Sequence, residues 1–328
     1  MRLTVRIALL AGLALLAFLI GREGAAILTP IVRAGWVLLW LVPLHALPIL
    51  LDSRGWQALI RQRQRTGTLF WIAAVREAVN RLLPVANIGG ELVGIRLLMA
   101  SGGIDGVAAA ASVTTETLLT LFSQYLFVTL GVTCLLSLTG TVRSESDVLI
   151  GLAASLPVIV LLGAALHSGS VFERLEKLAV RMLGEEALGF LNGKWTALDA
   201  AIRELIADRA RGLRTLAWQL AGLLAGAAES WLALRWLGHP VGVEAALAIE
   251  SLTQAARNFI FVVPAGLGVQ EATLVGVGGL LGVDADVALA LSLAKRMREI
   301  LFGCPALLSW YWTEGKKELQ HVRGSGRT

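Results

Sequence analysis

The sequence predicts an all-α, polytopic membrane protein with about six full spans and two re-entrant broken hairpins in an inverted repeat. Three observations carry that expectation: an apolar composition, two apolar segments interrupted halfway by proline and glycine, and a repeat that relates the interruptions. Of 328 residues, 56% are hydrophobic and only 16% charged, at a mean hydropathy of +0.70. A soluble globule of this length would carry about 25% charged residues.

The first interruption lies in Arg76 to Arg96, REAVNRLLPVANIGGELVGIR, which centres on Pro84 and the pair Gly89-Gly90. Proline removes a backbone donor and clashes with the preceding turn, and paired glycines loosen the backbone beyond it. The apolar arm before it, Phe70 to Leu83, spans roughly 21 Å as a helix, at ~1.5 Å per residue. That reaches the middle of a hydrocarbon core of roughly 30 Å but does not cross it. The expected element therefore enters the membrane, breaks at Pro84 and leaves on the side it came from.

A shift of 180 residues places Pro84 on Pro264, Glu91 on Glu271 and Gly102 on Gly282. Between 84 and 124 it yields nine identities in 41 ungapped positions. The second copy, NFIFVVPAGLGVQEATLVG, carries Pro264, Gly266 and Gly268 at its break, with Glu271 behind it. Internal duplication of this kind is how transporters build midplane sites.

Taken in order, the first repeat covers 1–138. It holds spans at 3–21 and 34–51, the re-entrant segment 70–101 and a tilted span at 107–138. The second covers 148–312, with spans at 148–166 and 213–237, the re-entrant segment 244–281 and a span at 287–312. The first apolar run, Ile7 to Ile20, has no clear cleavage site after it and reads as a retained helix. A polar insert, 171–211, has Leu191, Trp195, Leu198, Ile202 and Leu205 at three- and four-residue spacing, the pattern of an interfacial amphipathic helix. Packing of that stripe against the spans is the competing reading. Residues 313–328 form a basic tail.

Lys and Arg then orient the chain. Segments 1–6, 52–69, 167–212 and the tail hold seventeen of them; the opposite side holds Arg22, Arg33 and Arg143. The excess marks the cytoplasmic side and places both termini there. An odd number of spans separates the two hairpins, so they enter from opposite sides and the repeat is inverted.

Fifteen Lys, Arg and Glu residues fall inside the assigned membrane segments. Each costs roughly 2.5–3.5 kcal/mol at a lipid-facing helix centre, so most must face the protein interior. Arg235 and Arg298, near segment ends, are expected to snorkel to the interface. The candidate binding set is Asn80, Arg81, Asn87, Glu91, Arg96, Glu116, Arg257, Asn258, Gln270, Glu271 and Arg296. Half-helix N-termini and arginines suit a lipid phosphate or a similar polar group. Alternatively, Glu91 and Glu271 cap the half-helices or pair with arginines to hold the fold. Cys134 and Cys304 lie in apolar segments and the four histidines are scattered, so no disulfide, metal site or catalytic triad is expected. The net charge of +5 calls for no nucleic acid.

The pattern N-x-x-x-P…G-G-E-x-x-x-x-R at Asn80, Pro84, Gly89, Gly90, Glu91 and Arg96 resembles the membrane, flippase-like region of lysylphosphatidylglycerol synthases and their stand-alone relatives. So does P-A-G-L-G-x-x-E at Pro264, Gly266, Gly268 and Glu271. The L-D-S-R-G-W stretch from Leu51 is similar to the stand-alone subgroup associated with hopanoid biosynthesis. The resemblance implies movement of a polar-headed lipid, hopanoid or anionic phospholipid, across a bacterial inner membrane. It implies membrane lipids and lipid- or hopanoid-biosynthesis proteins as partners, with no cofactor. The aminoacyl-transfer domain of the synthases is not seen, so lysyl transfer and enzyme activity are not expected. The alternatives are a non-catalytic scaffold and a membrane-embedded lipid-modifying enzyme.

Overall fold

A computed structural model describes residues 28–83, 89–140, 194–259 and 268–325. The predicted spans 3–21 and 148–166, Leu191 with the first part of the insert, and Pro84, Asn87, Pro264 and Gly266 lie outside them. Among the described residues the chain forms nine α-helices and no strand. A 3-10 stretch, Gly35–Trp40, leads into α1 (Leu41–Leu59), and helical structure runs from Leu28 to Leu59, beyond the expected 34–51. Then come α2 (Thr66–Leu82), α3 (Gly89–Ala100) and α4 (Gly106–Leu138). After them come α5 (Trp195–Ala207), α6 (Arg209–Trp236), α7 (Val243–Phe259), α8 (Val269–Leu280) and α9 (Ala285–Ser325).

Local sequence explains several of the boundaries. Asp105 caps α4 by accepting from the amides of Val107 and Ala108, and Asp208 caps α6 by accepting from Arg211. Gly102 and Gly282 take φ of +100° and +79° in the turns before α4 and α9, so the match between them has a backbone reason.

The helices repeat as the sequence does. At the shift of 180, α3 falls on α8 with both ends in register, and α2 and α4 fall on α7 and α9 within three residues at their starts. Each arm packs on the short helix after it, α2 on α3 and α7 on α8. At 12 residues each, α3 and α8 are roughly 18 Å long, too short to cross roughly 30 Å of hydrocarbon.

Packing links the two halves crosswise: α4 lies against α7, α9 against α2, and α1 against α6. Glycines allow the close approaches. A Cβ on Gly131 would stand 1.6 Å from Ser251 Oγ of α7, and one on Gly303 would stand 2.7 Å from Leu82 of α2. Gly222, first of the Gly222-x-x-x-Gly226 pair, brings α6 against Pro48 and Asp52 of α1. One apolar cluster joins Trp56, Ile72, Val75, Leu98 and Val113 of the first half. Another joins Leu41 with Leu234, Ile249, Leu274 and Leu291 of the second.

The stripe on α5 turns inward rather than away: Ile202 is buried, and Trp195 and Leu198 pack on the first cluster. An exposed ion pair between Arg61 and Glu204 ties α5 to the loop after α1.

The helix Leu28–Leu59 and α4 are long and apolar enough to cross a membrane, yet their most apolar windows are only 28% and 17% buried. Trp36, Trp40, Leu130, Leu308 and Trp312 are exposed, whereas Glu116, Glu229, Glu250 and Glu299 are buried. Apolar surface outside and charge inside is the reverse of a water-soluble protein, and it suits lipid as the solvent.

Candidate functional site

The buried charges collect around one cavity of about 170 Å³, walled by α1, α2, α4, α6, α7, α8 and α9. Helical spacing puts them there. On α1, His45, Pro48, Ile49 and Asp52 lie along one stripe; on α7, Glu250, Thr253, Gln254 and Arg257 lie along another. Helix α6 supplies Gln219, Gly222, Gly226 and Glu229, and α9 supplies Lys295 and Arg298.

Ion pairs hold most of these groups. Arg298 pairs with Glu229, and Lys295 with Glu250, which also accepts from Ser230 at 2.5 Å and from Gln254 at 3.0 Å. Arg257 bonds Glu299 at 2.9 Å and donates to Gln270, whose amide reaches Ser292 at 2.7 Å. Arg81 lies 4.0 Å from Glu77 and is about one-third exposed, which makes it the loosest cation of the wall. His45 sits between two acids, 3.1 Å from Glu77 and 3.2 Å from Glu229. The ring of Phe302 stands edge-on to it.

The two hairpin glutamates lie behind this wall. Glu91, in the first turn of α3, pairs with Arg76 and accepts from Asn80 at 3.4 Å. Arg76 also bonds Glu116 of α4 at 2.6 Å and stacks over Trp56 at 4.8 Å. Glu271, in the first turn of α8, accepts from the amide of Gly268 at 2.8 Å, from Ser292 at 2.8 Å and from Arg296 at 2.8 Å.

Of the candidate binding residues, Arg81, Arg257 and Gln270 line the cavity. Asn80, Glu91, Glu116, Glu271 and Arg296 form the adjoining networks instead. Arg96 is exposed on α3, and Asn258 is exposed on α7, where it donates to Gln124 at 2.8 Å. Asn87 lies outside the described residues. Arg235 is exposed, over the ring of Trp231 at 5.9 Å, but Arg298 does not snorkel: it is buried against Glu229. The set lacked His45 and Asp52, along with Glu77, Glu229, Glu250 and Lys295. The missing signal is the polar run Glu250, Thr253, Gln254 and Arg257 at i, i+3, i+4 and i+7 on α7, with His45 and Asp52 at i and i+7 on α1, which marks an inward face when the solvent is lipid.

A match over residues 4–304 to the family described as "Lysylphosphatidylglycerol synthase TM region" decides the relationship. The chain belongs to this family. Membership makes it a membrane protein of a lipid-related family and agrees with the apolar exterior. Comparison with curated proteins and with solved structures found no match. Within the family match lie both hairpins and every charged residue of the cavity wall named above.

Proposed function

We propose that this protein moves a polar-headed lipid across the membrane. The headgroup passes through the central cavity while the tail stays in lipid. The observation that supports the reading is the cavity itself: about 170 Å³ of polar-lined space inside a bundle whose exterior is apolar. A headgroup dragged through hydrocarbon costs several kcal/mol per unsatisfied polar group, and a polar wall lowers that cost. Thr120, Ser123, Gln124, Gln219 and Gln254 offer neutral donors and acceptors, and Arg81 offers a loosely held cation. The lipid is a hopanoid or an anionic phospholipid, the membrane is the bacterial inner membrane, and both termini are cytoplasmic. No bond of the lipid is broken in this scheme. A scaffold would not need a polar space walled by helices from both halves of the chain, and the embedded-enzyme alternative would show as chemical change of the labelled lipid in the assay below.

The test fills the cavity without removing a charge. Gly226 faces it, and a Cβ there meets nothing closer than Gln254 at 3.8 Å. Leucine raises helix propensity there by ~1 kcal/mol, and thermal unfolding of Gly226→Leu beside wild type checks that it folds. In liposomes, headgroup-labelled hopanoid and anionic phospholipid are offered with a membrane-impermeant quencher. Wild type should expose the label from the inner leaflet at least roughly tenfold faster than Gly226→Leu, a loss of ~1.4 kcal/mol in barrier lowering. Wild type that moves neither lipid faster than protein-free liposomes would overturn the reading.

A further inference from the structure

Each interior arginine and lysine among the described residues has an acidic partner, but the converse fails. Six such cations, Arg76, Arg81, Arg257, Lys295, Arg296 and Arg298, face eight carboxylates. Arg76 is shared between Glu91 and Glu116; Arg81, Lys295 and Arg296 meet Glu77, Glu250 and Glu271, Arg257 meets Glu299, and Arg298 meets Glu229 and, at 3.9 Å, Glu299. The eighth carboxylate is Asp52. It lines the cavity and makes no hydrogen bond or ion pair among the described residues.

The geometry at His45 locates a proton. Its Nδ1 is 3.2 Å from Glu229 and its Nε2 is 3.1 Å from both oxygens of Glu77. A neutral imidazole has one N–H and one lone pair, so it cannot donate to acids on both sides. One extra proton therefore sits on this ring or on one of its two acids. Counting it, the interior still holds one carboxylate more than its cations. Asp52, half-buried on the cavity wall, has no donor to stabilise its charge, and a proton on it relieves the cost of an unpaired interior carboxylate. The charged groups whose fields act on Asp52 are Glu116 of α4, Glu77 and Arg76 of α2, and His45 of its own helix. Across the cavity stand Arg81, Glu229, Glu250, Arg257, Lys295 and Arg298.

We propose that His45 and Asp52, two helical turns apart on one stripe of α1, are an exchangeable proton site of the cavity, and that lipid movement is coupled to protons passing through it. The proton comes from water on one side, resides on a carboxylate oxygen of Asp52 or within the His45 trio, and leaves to water on the other. No other bond changes. The coupling rests on the lipid-moving reading; the proton site does not.

Two measurements keep them apart. Infrared difference spectra of the purified protein, recorded between acid and alkaline pH, should show a protonated carboxylic acid that deprotonates. That band should vanish in Asp52→Asn and persist in Glu116→Gln. Its absence from wild type, or its loss in Glu116→Gln but not in Asp52→Asn, overturns the site. In liposomes with a gradient of one pH unit, one proton per lipid drives the leaflet ratio of labelled lipid to as much as about tenfold. Asp52→Asn and His45→Gln should lose this accumulation. Wild type that moves lipid but ignores the gradient overturns the coupling and leaves the lipid reading standing. Wild type that moves no lipid while the Asp52 band titrates leaves the site standing and overturns the lipid reading.

Discussion

The two hairpins hold the same glutamate in different ways. In the first half the cation comes from the arm: Arg76 of α2 reaches Glu91 on α3 and Glu116 on α4. In the second half the position matching Arg76 is Ala256, and the position matching Glu116 is Arg296. There the cation stands on the long helix and pairs with Glu271 directly. Moving the base from arm to long helix turned a three-membered cluster with one excess acid into a simple pair. Backbone goes with charge. Gly90 leaves room for Asn80 and the Arg76 carbonyl, whereas its counterpart Gln270 fills that space and reaches Arg257. The glutamate in the first turn of the short helix is common to both halves while its cation stands on different helices, which argues that the acid is the element both arrangements keep.

The sharpest way to break the comparison is to remove each cation. Arg76→Met should cost about 3–5 kcal/mol, because it strands two carboxylates. Arg296→Met should cost less, about 1–3 kcal/mol, because Glu271 keeps the Ser292 hydroxyl and the Gly268 amide. Unfolding of purified protein in mixed micelles measures both. Equal losses would show that the two glutamates do not differ as drawn.

Next in size is a rescue. Arg76→Ala with Glu116→Arg copies the second half's arrangement into the first and should recover about half of the stability lost in Arg76→Ala alone, since the two sites are in contact and couple. The same unfolding assay reads it; simple additivity would count against the exchange of cation between helices.

Gly90→Ala should cost about 1–3 kcal/mol, because its Cβ would stand 2.4 Å from the Arg76 carbonyl and 2.7 Å from the Asn80 amide. Unfolding in the same mixed micelles should show the loss. At Gln270, substitution by alanine meets no such clash and should cost only its hydrogen bonds, about 1–2 kcal/mol.

The smallest effect is expected from Glu116→Gln. It removes an acid from a cluster with one cation too few, so stability should change by less than about 1 kcal/mol in either direction. Glu271→Gln, which weakens both the cap and the Arg296 pair, should lose more, about 1–2 kcal/mol. Thermal unfolding of the two variants side by side gives the order, and a reversed order would undo the distinction between the halves.

Composition and periodicity suffice to show that the chain is helical and membrane-embedded, because lipid demands apolar surface and internally satisfied backbone whatever the tertiary arrangement. The 180-residue shift likewise carries the ranges of α3 and α8, since a helix boundary is a local event written in Gly, Pro and capping residues. The pairing of charges is not local. Arg298 looks like a snorkelling residue along the chain, and nothing near it in sequence announces that Glu229 of α6 will meet it. His45 reads as a stray histidine until α2 and α6 bring Glu77 and Glu229 to its two nitrogens. Arg96, flanked by the buried Ile95 and Leu97, points out instead. Which charge meets which depends on how helices far apart in sequence cross, and that crossing is set by small residues such as Gly131, Gly222 and Gly303 against their partners rather than by the charges themselves.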